Sequence, residues 1–172
     1  CCYSPDDAAW PGWLFYASTQ MNPRNPIWRD ASALNDYIAR CQSILQAGSP
    51  DNDLLLYWPI HDLWQSAPGV LVNCVVHNAA WLEGQPVGRT ARQLWGLGHG
   101  FDYLSDRQAA LAGVEDGLIK TPGGAYRALL VPGARAMPAP TLRKLIELAR
   151  SGATVLFQDS LPADVPGAGA LE

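Results

Sequence analysis

The chain has 172 residues, 48% of them hydrophobic and 16% charged, with 12 Lys+Arg against 16 Asp+Glu. It is charge-poor, yet too apolar for a disordered chain. A net charge of −4 without a basic run argues against nucleic acid or an anionic membrane as partner. No apolar stretch approaches the roughly 20 residues of a spanning helix.

The length suits one domain or the pieces of two. The chain opens on Cys1-Cys2-Tyr3, without Met or a signal-like segment, and stops at Leu171-Glu172 just after a Pro/Gly-rich stretch. We therefore expect a fragment of a longer protein. Cys1, Cys2, Cys41 and Cys74 form no Cys-x-x-Cys pair, so the spacing supports neither a zinc site nor a redox motif, and reduced, mostly buried thiols are expected.

From Tyr3 to Tyr16 the sequence mixes aromatics with Pro5, Pro11 and Gly12, which predicts an irregular loop carrying Tyr3, Trp10 and Trp13. Leu34, Tyr37, Ile38, Cys41, Ile44 and Leu45 then recur at spacings of three and four, predicting a helix with one apolar stripe. Asp30 or Ser32 suits its start, and Gly48 suits the C′ position. The run Leu54 to Trp58, closed by Pro59, predicts a strand buried on both faces, as in a parallel sheet. His61, Asp62 and Trp64 follow at once, in an expected polar-aromatic loop. Helix, buried strand and loop make one step of a parallel α/β architecture, in which ligands bind beyond the carboxyl ends of strands.

Residues 67–88 read as loop, with a short apolar element from Val70 to Val76, and a helix is predicted over Thr90 to Leu97. Phe101 to Leu104, Tyr126 to Val131 and Ala153 to Phe157 read as strands, and Thr141 to Arg150 as a helix with Leu142, Leu145, Ile146 and Ala149 on one face. Strand, helix and strand with short connections imply a right-handed parallel crossover. Gly96, Gly98 and Gly100 precede a strand instead of opening a helix, so they do not form a dinucleotide fingerprint. There is no nucleophile elbow, and nothing places Ser4, His61 and Asp62 in a triad.

Several blocks carry a family resemblance. They are Tyr3 to Ser18 with its Trp10-Pro11-Gly12-Trp13 core, Asn25 to Asp30, Tyr37 to Gly48, Asp51 to Trp64, Phe101 to Arg107 and Tyr126 to Pro132. Taken in order they resemble α-L-rhamnosidases of glycoside hydrolase family 106, and the later blocks resemble the amidotransferase-like domain that also follows the barrel in family 42 β-galactosidases. The resemblance implies that residues 1–66 end a (β/α)8 barrel, with Leu34 to Leu45 as its seventh helix and Leu54 to Trp58 as its eighth strand. Residues 67–172 would be a truncated Rossmann-like, amidotransferase-like parallel α/β domain. It further implies an inverting hydrolase acting on a rhamnose-containing carbohydrate, calcium in the intact enzyme, and a secreted or periplasmic bacterial location.

Inversion needs a general acid and a general base about 6.5–9.5 Å apart. The first glutamate of the chain is Glu83, so the family's catalytic glutamates match no residue in the barrel-like part and are expected upstream. Asp6 and Asp7 could offer calcium some oxygens, but adjacent loop acids are usually solvated, and no metal ligand is assigned. Sugars present apolar faces edged with hydroxyls. Trp10, Trp13, His61, Asp62 and Trp64 are therefore the expected substrate-binding residues, while Trp58 is expected in the core.

His77 and His99 are expected to be structural, and Asp102, Asp106 and Arg107 to form local polar pairs. Replacing His61 or Asp62 is expected to cost activity and not stability, because a strand-end loop carries little of the core. Two other readings stay open: a non-catalytic α/β binding or assembly module, and a β-galactosidase-like hydrolase.

Overall fold

The computed structural model describes residues 5, 7–9, 12, 22–23, 25–66 and 79–167, and the chain divides into two compact units, Cys1–Ser49 and Pro50–Glu172. Trp10, Trp13, His77, Cys1, Cys2, Cys74, Asp6 and the Val70 to Val76 stretch lie outside the described residues.

In the first unit, Asn25 Oδ1 accepts from the Ile27 N–H at 3.1 Å and starts a 3-10 turn over Pro26–Asp30. It runs into helix α1, Ala31–Ala47. Asp30 occupies the N-cap without a capping bond, and Gly48 ends the helix in extended backbone instead of the left-handed form. The predicted apolar stripe exists, but Leu34, Tyr37, Ile38, Ile44 and Leu45 are exposed and no α1 residue is buried. Cys41 is a free, half-buried thiol.

The second unit is built on a four-stranded parallel sheet of β1 (Leu54–Tyr57), β2 (Phe101–Leu104), β6 (Ala128–Val131) and β7 (Thr154–Phe157), in the order β2-β1-β6-β7. In chain order the four strands lie 2-1-3-4, the doubly wound pattern whose order reverses between β1 and β6. The Leu54 to Tyr57 run is apolar on both sides because both faces of this strand are covered. Leu55 and Tyr57 join Leu104, Leu129, Val131, Leu145 and Leu148 on one face, and Leu56 joins Val87 and Ala91 on the other.

The first face is covered by α5 (Asp106–Leu111), α6 (Ala139–Arg150) and an antiparallel meander of β3 (Gly113–Glu115), β4 (Leu118–Thr121) and β5 (Gly124–Tyr126). The second face is covered by α3 (Ala80–Glu83) and α4 (Pro86–Gly96). A short helix α2, Ile60–Gln65, leaves the end of β1.

Three expectations change. First, β1 is hydrogen-bonded along both edges, to β2 and to β6. A strand with both edges filled by this sheet has no edge left for a barrel, so Leu54 to Tyr57 is an interior strand of the α/β layer and not an eighth barrel strand. The boundary between the two compact units falls at Ser49/Pro50, whereas the sequence-based division lies at residues 66 and 67. Second, His61, Asp62 and Trp64 sit on a helix and not in a loop. Third, Tyr126 to Val131 is two strands: Tyr126 closes the meander opposite Ile119, and Ala128 opens β6 beside Leu54.

Candidate functional site

The carboxyl ends of β1 and β2 gather the polar groups of the second unit. Tyr57 is the last residue of β1 and is wholly buried. Its hydroxyl donates to Asp106 Oδ1 at 2.8 Å, and Thr141 Oγ1 donates to the same oxygen at 2.6 Å. His61 Nε2 lies 3.2 Å from Asp106 Oδ2. An ionised carboxylate only accepts, so Nε2 carries the ring proton in this pair.

Asp106 stands at the first position of α5 because Ser105 caps that helix. Ser105 and Gln108 form a reciprocal capping box: the Gln108 N–H donates to Ser105 Oγ at 3.3 Å, and Gln108 Oε1 accepts from the Ser105 N–H at 2.9 Å. One carboxylate thus fastens the end of β1, helix α2 and the starts of α5 and α6. Burial pushes the Tyr57 phenol far above its ordinary range, and the hydrogen bond to Asp106, the Asp106 charge and the Asp62 charge act in the same direction. The phenol remains a proton donor to Asp106 throughout the physiological range.

Asp62 has a different task. Its two oxygens accept from the backbone N–H groups of Arg135 and Ala136, each at 2.7 Å. Those residues follow β6, so Asp62 ties the end of β1 to the end of β6 across the point where strand order reverses. Trp64 is 57% exposed and meets the His61 ring edge-on at a centroid distance of 5.4 Å. Of the residues expected to bind substrate, His61 and Trp64 are in contact, Asp62 faces a different partner set, and Trp10 and Trp13 lie outside the described residues.

Asp102 and Asp106 are not in local pairs. Asp102 Oδ2 accepts from Tyr126 Oη at 2.8 Å and from Asn52 Nδ2 at 3.1 Å, both distant in sequence. His99 is exposed just ahead of β2. Among the described residues no three His, Cys, Asp or Glu side chains gather into a group that could hold a metal ion.

Three cavities among the described residues each present a single carboxylate. One of about 350 Å3 between the sheet and the meander contains Asp102, and one of about 440 Å3 beside α6 contains Asp164. The third, of about 310 Å3, lies at the ends of β1 and β2 and is lined by Trp58, Ile60, Tyr103, Ser105, Asp106 and Gln108. Trp58 is only partly buried, at the wall of this cavity, where a core position was expected.

No family model matches the chain. A protein of Formosa agariphila named "Putative beta-glucuronidase" is 31% identical to it over 156 residues, which is 90% of this chain and 11% of that protein. The chain therefore spans about a ninth of the curated relative it matches. Among solved structures, a β-galactosidase from Bifidobacterium adolescentis is similar over 62% of this chain and 39% of its own, with 13% identity and a TM-score of 0.39. A likeness at that level fixes neither fold nor activity.

From sequence, only a local polar pair is expected for Asp106, and the Tyr57 and Thr141 side chains have no assigned role. A signal for the first was available: Ser105-Asp106-Arg107-Gln108 directly after a strand is a capping-box sequence, and it places Asp106 at a helix start on the carboxyl edge of the sheet. Nothing in the spacing reveals that Tyr57 and Thr141 share its oxygen.

Proposed function

We propose that this chain is a non-catalytic α/β module of a larger glycosidase, whose acid and base carboxylates lie elsewhere in the longer protein. The observation that carries the first half of this reading is the solitary carboxylate in each of these three cavities among the described residues, since glycoside hydrolysis calls for two carboxylates facing one bond. Asp102 Oδ2 and Asp106 Oδ1 each accept from two internal donors, and Asp62 accepts from two backbone N–H groups. The glycosidase half is supported by the 31% identity to the relative named as a β-glucuronidase, together with the sequence blocks that resemble family 106.

The finer reading is hydrolysis of terminal α-L-rhamnosyl residues by inversion, with calcium held outside this chain. It rests on those blocks alone, and the relative's name points to a different sugar.

The test is hydrolysis of an aryl α-L-rhamnoside and an aryl β-D-glucuronide, by the longer protein and by the 172-residue chain. The longer protein is expected to turn over one of them and the chain neither. Turnover by the chain, abolished by a substitution within it, would overturn the module reading. An inactive longer protein would overturn the glycosidase reading.

A further inference from the structure

We propose that the cavity at the carboxyl ends of β1 and β2 binds one neutral sugar ring, stacked on an aromatic shelf of Trp58 and Tyr103 and hydrogen-bonded by Gln108 and Asp106. The choice of a sugar rests on the glycosidase reading, whereas the existence of a site rests on the geometry.

The volume, about 310 Å3, stands at the small end of the range for small-molecule sites, about 300–1,000 Å3, and suits one ring and not a chain of them. The location is beyond the carboxyl ends of two parallel strands, the edge of a doubly wound sheet at which ligands bind, one strand removed from the point between β1 and β6 where strand order reverses.

The aromatic walls are fixed in advance. Trp58 stacks on Trp81 at 5.8 Å and 12°, and Tyr103 leans on Trp58 at 5.4 Å and 52°. Phe101 braces Tyr103 edge-on at 5.5 Å and 88°. A shelf braced from behind loses little rotamer freedom when a ligand arrives. Tyr103 sits on an edge strand, 38% exposed, and its hydroxyl has no partner among the described residues. Its ring is thus held by Trp58 and Phe101 yet partly open at the cavity wall, where the apolar C–H face of a pyranose can meet it.

The polar groups complete the pattern. Ser105 occupies the Gln108 carbonyl twice, through its N–H and its hydroxyl, which leaves the Gln108 amide NH2 as a free donor. Tyr57 and Thr141 share Asp106 Oδ1 and His61 takes one position on Oδ2, which leaves an acceptor lone pair. One donor, one acceptor and one phenol around an aromatic floor match the hydroxyl edge of a sugar. Asp106 is also the one charged lining residue, and it repels an anion. The site therefore favours a neutral sugar over a uronic acid.

The experiment follows backbone, indole and amide NH2 resonances of the 172-residue chain during titration with methyl α-L-rhamnopyranoside, methyl β-D-galactopyranoside and D-glucuronate. At least one neutral glycoside is expected to give saturable shifts at the Trp58 indole and the Gln108 NH2, with glucuronate weaker. Tyr103→Ala should weaken binding about tenfold, and Tyr103→Phe much less. Gln108→Glu preserves the capping acceptor but removes the NH2 donor and adds a second negative charge, so it should weaken binding at least as much as Tyr103→Ala without unfolding α5.

Absence of saturable shifts with every neutral glycoside, shifts that map away from the cavity, or glucuronate binding as tightly as the neutral sugars would overturn the inference. An empty cavity within an active longer enzyme overturns this inference alone. Sugar binding by this chain alongside an inactive longer protein overturns only the glycosidase reading.

Discussion

The Tyr57 hydroxyl and the Asp106 carboxylate meet at 2.8 Å under the carboxyl edge of the sheet, a buried neutral donor against a half-buried anion. Hydrogen bonds to charged groups contribute about 1.5–3 kcal/mol, and this one also satisfies a phenol that has no access to water. Tyr57→Phe keeps the ring in the core and removes only the donor. We expect it to lower unfolding free energy by about 1.5–3 kcal/mol in urea titrations, with an unchanged slope. A variant as stable as the parent would show that Thr141 and His61 hold Asp106 unaided.

Alkaline pH gives a second reading of the same pair. Burial raises the Tyr57 phenol above its ordinary 10.0, burial does so for Tyr103, and burial followed by the Asp102 bond does so for Tyr126. A phenol that keeps its proton longer when folded contributes stability that is fully present below the unfolded value. That contribution is lost as pH climbs from 10.0 toward the folded value, because the unfolded chain ionises first. Above pH 10, Tyr57 should make stability fall by about 1.4 kcal/mol per pH unit. Tyr57→Phe should flatten the curve by that amount, which urea melts across the alkaline range would show.

Asp62 is expected to matter for stability more than for substrate. Asp62→Ala strands the Arg135 and Ala136 N–H groups, at a cost of about 1–3 kcal/mol. Asp62→Asn retains one acceptor and should fall between Ala and the parent. Thermal melts that place Asp62→Ala level with the parent would return Asp62 to the substrate-binding role.

Gly88 marks where α4 crosses against α3. A Cβ at this position would fall onto the Leu82 carbonyl, which is backbone and cannot swing away. Gly88→Ala should destabilise by about 1–3 kcal/mol, although alanine is the better helix former. Gly96, near the end of the same helix, has open space around its Cα. Gly96→Ala is the control and should be neutral or stabilising in the same melts.

Much of the sheet was legible because burial leaves a plain mark on composition. Leu54 to Trp58 is a short apolar run, Phe101 to Leu104 and Ala153 to Phe157 are apolar but for one residue each, and each lies on or within one residue of a strand. The break at Arg127 was not legible, since one exposed residue between buried Tyr126 and Ala128 fits the in-out alternation of a single strand, while the partners change from Ile119 to Leu54. The meander had a signal that went unused. Asp116-Gly117, both at positive φ between the paired Glu115 and Leu118, is the dipeptide that two-residue hairpins favour.

The site was less legible for a topological reason. Polar residues after Pro59 read as a loop, although proline just before a helix is also a start signal. The partners that decide what His61 and Asp62 do, Asp106 and the Arg135 and Ala136 backbone, reach them only through two crossovers.

The interior place of β1 dictates when this sheet can be made. Its first strand in the chain is one of the two interior strands in space, and both neighbours of that strand are translated long after it. During synthesis Leu54 to Tyr57 waits with both edges open, then with one, until β6 emerges. These are long loops to close before the first reward in contacts, and slow pairing of this kind leaves an apolar strand available to wrong partners. Nascent chains halted before Ala128 should therefore engage chaperones, whereas those carried past Phe157 should be released from them.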